Sequence, residues 1–402
     1  MTSTPHCSRN RSALALLCAG PGLLLGGAAI HPWALEYMLE PEIPFRLNAR
    51  LHWWVVSINA MAAGVWLTFW RNKVRPLAVA ALGLLYAVLG FLLVAMDLWR
   101  AYRAVRVSDS RMVKGEYQIM DKELGWALKP GGKARVVRPG LYDVSYEIGA
   151  DGFRKTTPHS EELRSIFVLG DSFAFGWGVN DEETFCSRLA GMLVDEARII
   201  NMGVEGHGIT QIYARFLQNK ARVKRDDIVI FTFIADDITR SWSDFMFVSR
   251  MLFGPKPLQS FPVFERGNIR LQATDSLFYR GKALLVHAPW LGSLAGNLCL
   301  PRSAEAMESA REMIEKLRTE VEAREAKFML VQLPTGGELR KHHAPMDCSG
   351  LGALQIEDQF PAQPEALRRY FLSADDGHYA AEGHRLVADT LNEELVKRGW
   401  LR

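Results

Sequence analysis

The chain is predicted to be α/β with a parallel sheet, preceded by an α-helical membrane region. Two observations carry that expectation. Apolar strand-like runs at about 165–170, 197–201, 227–234 and 327–333 alternate with helical stretches, the pattern of strands joined by crossover helices. The apolar residues of the first quarter, in contrast, gather into three long stretches at about 12–30, 51–70 and 76–98. Each is close to the roughly 20 residues that cross a hydrocarbon core.

The membrane region therefore covers 1–98. The whole-chain averages, 49% hydrophobic residues and a net charge of +3, conceal this concentration. Trp53, Trp54, Trp66, Trp70 and Trp99 lie mostly near the ends of the stretches, where interfacial aromatics settle. Pro21 and several glycines interrupt the first stretch, which reads either as an uncleaved span or as a signal peptide behind Arg9 and Arg11 with Gly27-Ala28-Ala29 as its cleavage site. The link Arg71-Asn72-Lys73-Val74-Arg75 is basic and belongs on the cytoplasmic side. The acidic link from His31 to Arg50 then lies outside, as does the globular part, which makes the expected location an inner membrane with a periplasmic domain. Arg100, Arg103 and Arg106 oppose this arrangement, but long domains cross largely regardless of charge. These arginines suit anionic lipid headgroups.

A basic juxtamembrane connector at 99–117 leads into a globular part at 118–402, long enough for one large domain. Within 118–160, Tyr142, Val144, Tyr146 and Ile148 alternate with polar residues, which is strand periodicity. This segment is a β-rich lead-in. The helix at 303–326 places Met307, Ala310, Ile314, Leu317 and Val321 on one face. Residues 240–300 form an aromatic-rich insertion with a hairpin-like Glu265-Arg266-Gly267-Asn268. It reads either as a lid or acceptor surface over a site, or as a peripheral layer packing its own aromatics. Cys186, Cys299 and Cys348 are an odd set in this part. Cys299 and Cys348 are a candidate pair in an oxidising compartment, with buried free thiols as the alternative.

The chemistry concentrates in three segments. A buried strand ends at Gly170-Asp171-Ser172, and the carboxyl end of a parallel strand is where open α/β sheets place ligands. A serine there can stand exposed and meet a base, although Gly-Asp-Ser also makes ordinary turns and N-caps. Near the C-terminus runs Asp375-Asp376-Gly377-His378. A carboxylate in such a turn holds one imidazole nitrogen and leaves the other to take a serine proton. Between them stands Asn201-Met202-Gly203-Val204-Glu205-Gly206-His207-Gly208, whose glycines let backbone N–H groups approach a developing oxyanion.

In these three segments, over roughly 118–402, the chain resembles the SGNH, or GDSL-type, hydrolase superfamily. The resemblance implies a three-layer α/β/α sandwich, flavodoxin-like in its parallel sheet, and acyl-ester chemistry through an acyl-enzyme. On that pattern Ser172 is the nucleophile, His378 the base and Asp375 its orienter. The backbone N–H groups of Ser172 and Gly206 form part of the oxyanion hole. No cofactor and no metal are implied. The expected partners are an acylated small molecule, glycan or lipid as substrate, and membrane lipids around the anchor.

One position departs from the pattern. The family's third motif supplies an Asn whose amide donates to the oxyanion; here the strand is followed by Ala235-Asp236-Asp237, and Asp236 takes that place. An ionised carboxylate has no hydrogen to give. Losing one oxyanion donor costs about 2.7–4 kcal/mol. Three readings remain: a protonated Asp236 in an apolar pocket donates its O–H, a neighbour replaces it, or the domain only binds. The nucleophile and base favour a membrane-bound serine esterase. An O-acyltransferase with the same triad and an inactive binding module are the alternatives.

Other polar clusters carry less. His342-His343 with Asp347 and Cys348 has no second ligand cluster and reads as loop polarity rather than a metal site. His384 begins the last helix and lacks an acid at the offset His378 has, and His207 touches either substrate or the packed interior. The dispersed basic residues exclude a nucleic-acid stripe, and no dinucleotide or P-loop fingerprint is present.

Overall fold

The structure, a computed structural model, describes residues 25, 54, 56–65, 88, 91–104, 111–156, 163–241, 248, 251–253, 257–288, 303–339, 348–373 and 376–401. The chain divides into two compact units, Met1–Val107 with Gly281–Arg302, and Ser108–Arg280 with Ser303–Arg402.

In the first unit 56–65 and 91–104 are helical. Among the described residues no helix is long and apolar enough to cross a membrane. Of the expected spans, 12–30 lies outside the described residues except for residue 25, while 51–70 is described at 54 and 56–65 and 76–98 at 88 and 91–98. The helix at 91–104 exposes Phe91, Leu92, Met96 and Trp99 while burying Asp97 and Ala101. Arg100 and Arg103 are exposed on the same helix and Leu93, Val94 and Leu98 are half-buried; a buried acid beside exposed large apolar side chains departs from the pattern of a helix in water.

The second unit opens with an antiparallel sheet of β1 (Met112–Asp121), β2 (Gly125–Arg138) and β3 (Tyr142–Glu147), in that order. In β3, Tyr142, Val144 and Tyr146 are buried and the residues between them are not fully so, the alternation of a sheet wet on one face. The core sheet follows. It contains β4 (Arg164–Leu169), β5 (Ala197–Asn201), β6 (Ile228–Phe233), β9 (Lys327–Gln332) and the short β10 (Leu354–Gln355). Their spatial order is β10-β9-β6-β4-β5, with every pairing parallel. Between β6 and β9 the insertion contributes a hairpin of β7 (Ser260–Glu265) and β8 (Asn268–Ala273), whose Phe261 and Phe264 are buried against Trp126 and Tyr213.

Parallel strands need both faces covered, and the residues of β4 divide accordingly. Ile166 and Val168 pack with α2 (Phe185–Met192) and α7 (Ala381–Lys397). Phe167 and Leu169 pack with α3 (Ile209–Asn219) and α6 (Ser303–Glu322). In β6, Ile228 and Ile230 join the first layer while Val229, Phe231 and Phe233 join the second. The result is the α/β/α sandwich with a parallel sheet. Truncating such a side chain, Phe231→Ala for example, costs about 3–5 kcal/mol. Cys186 is fully buried in the first of these layers, where burial pushes its thiol pKa up. Cys299 lies outside the described residues.

The sheet order also locates the site. From β4 the chain moves to β5 on one side and later to β6 on the other. The carboxyl end of β4 is thus a topological switch point, where the sheet opens a crevice. Ser172 follows it directly.

Candidate active site

Gly170 and Asp171 build the turn that presents Ser172. A Cβ on Gly170 would stand 2.3 Å from Thr232 Oγ1 on β6 and 2.7 Å from Ala174 Cβ, so only glycine lets the chain turn this close to its neighbours. The Asp171 side chain then caps a one-turn helix, α1 (Ser172–Phe175), by accepting from Phe173 N–H, and Gly176 closes it in the left-handed conformation. Ser172 is the first residue of that turn, so its N–H belongs to the set that a helix start leaves without an intrahelical partner.

Below this turn, Asn201 accepts from Gly203 N–H and donates to the Ala174 carbonyl. A Cβ on Gly203 would lie 2.3 Å from Phe175 N. The second motif thus packs backbone against backbone beneath the nucleophile, and Gly206 turns there at φ +75°. Buried Arg154 fixes the far side of the turn by donating to the carbonyls of Phe175, Gly176 and Val179 and pairing with Asp181.

The base arrives from the C-terminal segment. Leu372 N–H donates to the His378 carbonyl, and the Tyr379 hydroxyl donates to the Pro334 carbonyl beyond β9. These bonds pin the loop so that the Ser172 hydroxyl lies 2.8 Å from His378 Nε2. His378 Nδ1 lies 2.6 Å from Asp376 Oδ1. The shared tautomer follows: Nδ1–H donates to the carboxylate and Nε2 accepts from the hydroxyl. Phe173 stacks on the imidazole at 4.8 Å and Trp177 leans over it at 5.6 Å.

The carboxylate that meets the imidazole among the described residues is Asp376, and Asp375, expected as the orienter, lies outside them. Asp376 Oδ1 also accepts the His378 N–H at 3.1 Å, so this acid closes a compact ring with the histidine's backbone and side chain. Burial works to raise the Asp376 pKa, but the hydrogen bonds from His378 and the charges of His378 and Arg138 outweigh it and hold the carboxyl below its ordinary range.

The third motif departs further from expectation. Asp236 begins a short helix, α4 (Asp236–Arg240), and its side chain is 67% exposed, with Arg240 Nη2 at 3.9 Å. Among the described residues no apolar pocket encloses it of the kind that would keep a carboxylic acid protonated. The buried acid is Asp237, which accepts Ile234 N–H and Arg240. Burial first, and the nearby Asp171 second, drive its pKa well up. Arg240 Nη1 bridges Asp237 and Asp171, each at 3.0 Å. Asp171 in turn lies 3.2 Å from the Ser172 hydroxyl. The neighbour at the third motif is thus a buried guanidinium tied to the acid beside the nucleophile.

Two further described histidines, His207 and His384, pack in the interior. His207 is fully buried, with Nε2 3.0 Å from the Trp126 carbonyl, and His384 Nδ1 accepts Phe185 N–H. Burial lowers both to about 3. Residues 341–347, which hold His342 and His343, lie outside the described residues. Among the described residues no group of His, Cys, Asp or Glu could hold a metal.

A profile of GDSL-like lipases and acylhydrolases matches residues 166–391, more than half of the chain. The chain belongs to this family. The matched span takes in the turn of Ser172, the glycine-rich loop of Gly206 and the loop of His378. No curated protein matches. Among solved structures, a lipase/acylhydrolase from Enterococcus faecalis is similar at 15% identity over 60% of this chain and 98% of its own, with a TM-score of 0.33. The lipase Lip_vut3 from a goat rumen metagenome is similar at 15% identity, covering 57% and 97%, with a TM-score of 0.32. AlinE4, an SGNH-hydrolase family esterase, gives 16%, 60%, 98% and 0.29. Likenesses this low carry no argument about chemistry; membership of the GDSL family rests on the profile and its place on the chain.

The structure brings Ser172 and His378 together and adds Arg154, Arg240 and Arg138, which no motif marks. Arg138 donates to Asp376 at 2.7 Å across 238 positions of sequence, and nothing local to Arg138 marks it.

Proposed function

We propose that this GDSL-family chain is a membrane-attached serine esterase whose catalytic domain faces the periplasm and which acts on an acylated envelope glycan or lipid. The observation that carries the catalytic part is the continuous hydrogen-bonded line from Ser172 through His378 to Asp376. In the reaction, Ser172 Oγ attacks the ester carbonyl as His378 Nε2 takes its proton. Asp376 stabilises the imidazolium that forms. The N–H groups of Ser172 and Gly206 face the developing oxyanion. Collapse expels the alcohol, which receives the proton from His378 and leaves an acyl-serine. Water, activated by the same imidazole, then releases the acid.

The membrane part rests on the apolar stretches of 1–98 and on the outward apolar side chains of 91–104. A second reading draws on the solvent-facing Asp236: with one oxyanion donor fewer, the domain either transfers its acyl group only to a bound sugar hydroxyl or binds acylated glycan without turnover.

The test is hydrolysis of short-chain p-nitrophenyl esters by the full chain in detergent, beside Ser172→Ala and His378→Ala. Turnover lost in both variants supports the esterase. Wild-type turnover that survives Ser172→Ala refutes it. A folded wild type that shows no turnover favours the second reading, and adding sugar acceptors then separates transfer from binding.

A further inference from the structure

We propose that Arg138 is a positioning residue of the catalytic site, and that the antiparallel lead-in sheet thereby completes the triad. The proposal rests on the esterase reading of Ser172 and His378. Asp376 divides its two oxygens. Oδ1 serves His378, through both Nδ1–H and the backbone N–H. Oδ2 receives Arg138 Nη1 at 2.7 Å. A carboxylate with one oxygen engaged can still swing about its side-chain torsions; with the second held it cannot, and the imidazole it orients is fixed with it. The Asp376 side chain is 7% exposed, so the pair is shielded on the acid's side, while Arg138 keeps 36% and reaches in from the rim.

The hairpin that carries Arg138 is itself anchored to the site. Arg138 ends β2 and faces Tyr142 at the start of β3, with Leu141 N–H closing the turn onto the Arg138 carbonyl. Tyr142 meets the edge of Trp177 at 6.2 Å, and Trp177 leans on His378. Further along β3, the Tyr146 hydroxyl accepts Gly178 N–H. One hairpin tip thus touches the triad by two routes, a charged one to Asp376 and an aromatic one to His378. The remaining residues of β1 to β3 need not contact substrate for this role.

Because Arg138 acts through Asp376, its loss should lower kcat and leave KM alone. Arg138→Gln should reduce kcat by about ten- to a hundredfold, the range for a hydrogen bond to a charged group, with KM within about twofold. Arg138→Lys, which keeps the charge but not the fork, should recover part of the loss. In an Asp376→Asn background, Arg138→Gln should cost nothing more. A merely structural arginine would lower activity equally in both backgrounds, and that result, or a wild-type kcat in Arg138→Gln, overturns the proposal.

A second measurement is independent of turnover. In full chain labelled with nitrogen-15 at histidine, the His378 Nδ1–H proton held by Asp376 should resonate far downfield. In Arg138→Gln it should move upfield or broaden by exchange, with the far-UV circular dichroism unchanged. Absence of that resonance in the wild type, or its persistence unmoved in Arg138→Gln, overturns the proposal. If even the wild type turns over no ester, the esterase reading falls, and the resonance still decides the role of Arg138.

Discussion

The two flanks of Ser172 are built to different standards. On the base side the polar groups form one continuous line: hydroxyl to imidazole, imidazole to Asp376, Asp376 to Arg138. On the oxyanion side the third-motif acid points to solvent, and the largely buried Arg240 is tied to Asp171 and Asp237 at 3.0 Å, with Asp236 itself at 3.9 Å. Proton transfer and oxyanion stabilisation are separable contributions to acyl transfer. A site can therefore keep the first intact while the second rests on backbone N–H groups alone. On the esterase reading, the contrast predicts weaker stabilisation of the oxyanion than of the imidazolium.

The sharpest way to break that comparison is on the base side. Asp376→Asn should lower kcat by about ten-thousandfold, as loss of the orienting acid does in a triad. Asp375→Asn should change it by less than about threefold, and matched kcat measurements on the two neighbours decide which acid orients the base. Next in size is a packing effect beneath the nucleophile. Gly203→Ala, which sets a Cβ 2.3 Å from Phe175 N, should destabilise the domain by about 1–3 kcal/mol, read from the urea midpoint at unchanged m-value.

A smaller effect lies in the pH dependence of stability. His207 and His384 are lowered by burial to about 3 in the folded state, from an ordinary value of 6.5. Their contribution is fully present above 6.5 and is lost as pH falls from there towards about 3, because only the unfolded chain takes up the protons. Each histidine should add a slope of about 1.4 kcal/mol per pH unit within that window. His384→Gln should flatten the curve by that amount; an unaltered slope in urea titrations would show that the imidazole takes up protons in the folded state. The smallest effect expected is at Asp236→Asn, where kcat should shift by less than about threefold, or ~0.6 kcal/mol. A rise of a hundredfold would mean that this side chain turns inward with substrate and that the oxyanion flank is more adaptable than its resting geometry.

Much of the domain was legible from hydrophobic pattern. The core strands are continuous apolar runs because both faces are covered, and Ser172 and His378 stand out because glycine and aspartate punctuate the chain beside them. What escaped the sequence has physical reasons. Asp375 and Asp376 are chemically identical, and which one reaches the imidazole depends on the backbone path of a tight turn, not on residue type. Arg138 and Arg154 reach the site from the lead-in sheet and its trailing loop, so no spacing relates them to the motifs. The exposure of Asp236 depends on where α4 begins relative to the end of β6, and a shift of one residue would have buried it in the place of Asp237.

Activation of Ser172 by His378 is read most directly by intact-protein mass spectrometry of the full chain after exposure to a fluorophosphonate. The expected result is one adduct, mapped to Ser172, absent in Ser172→Ala and slowed by about a thousandfold or more in His378→Ala. An adduct on another residue, or a folded wild type that stays unlabelled while active on esters, would contradict it.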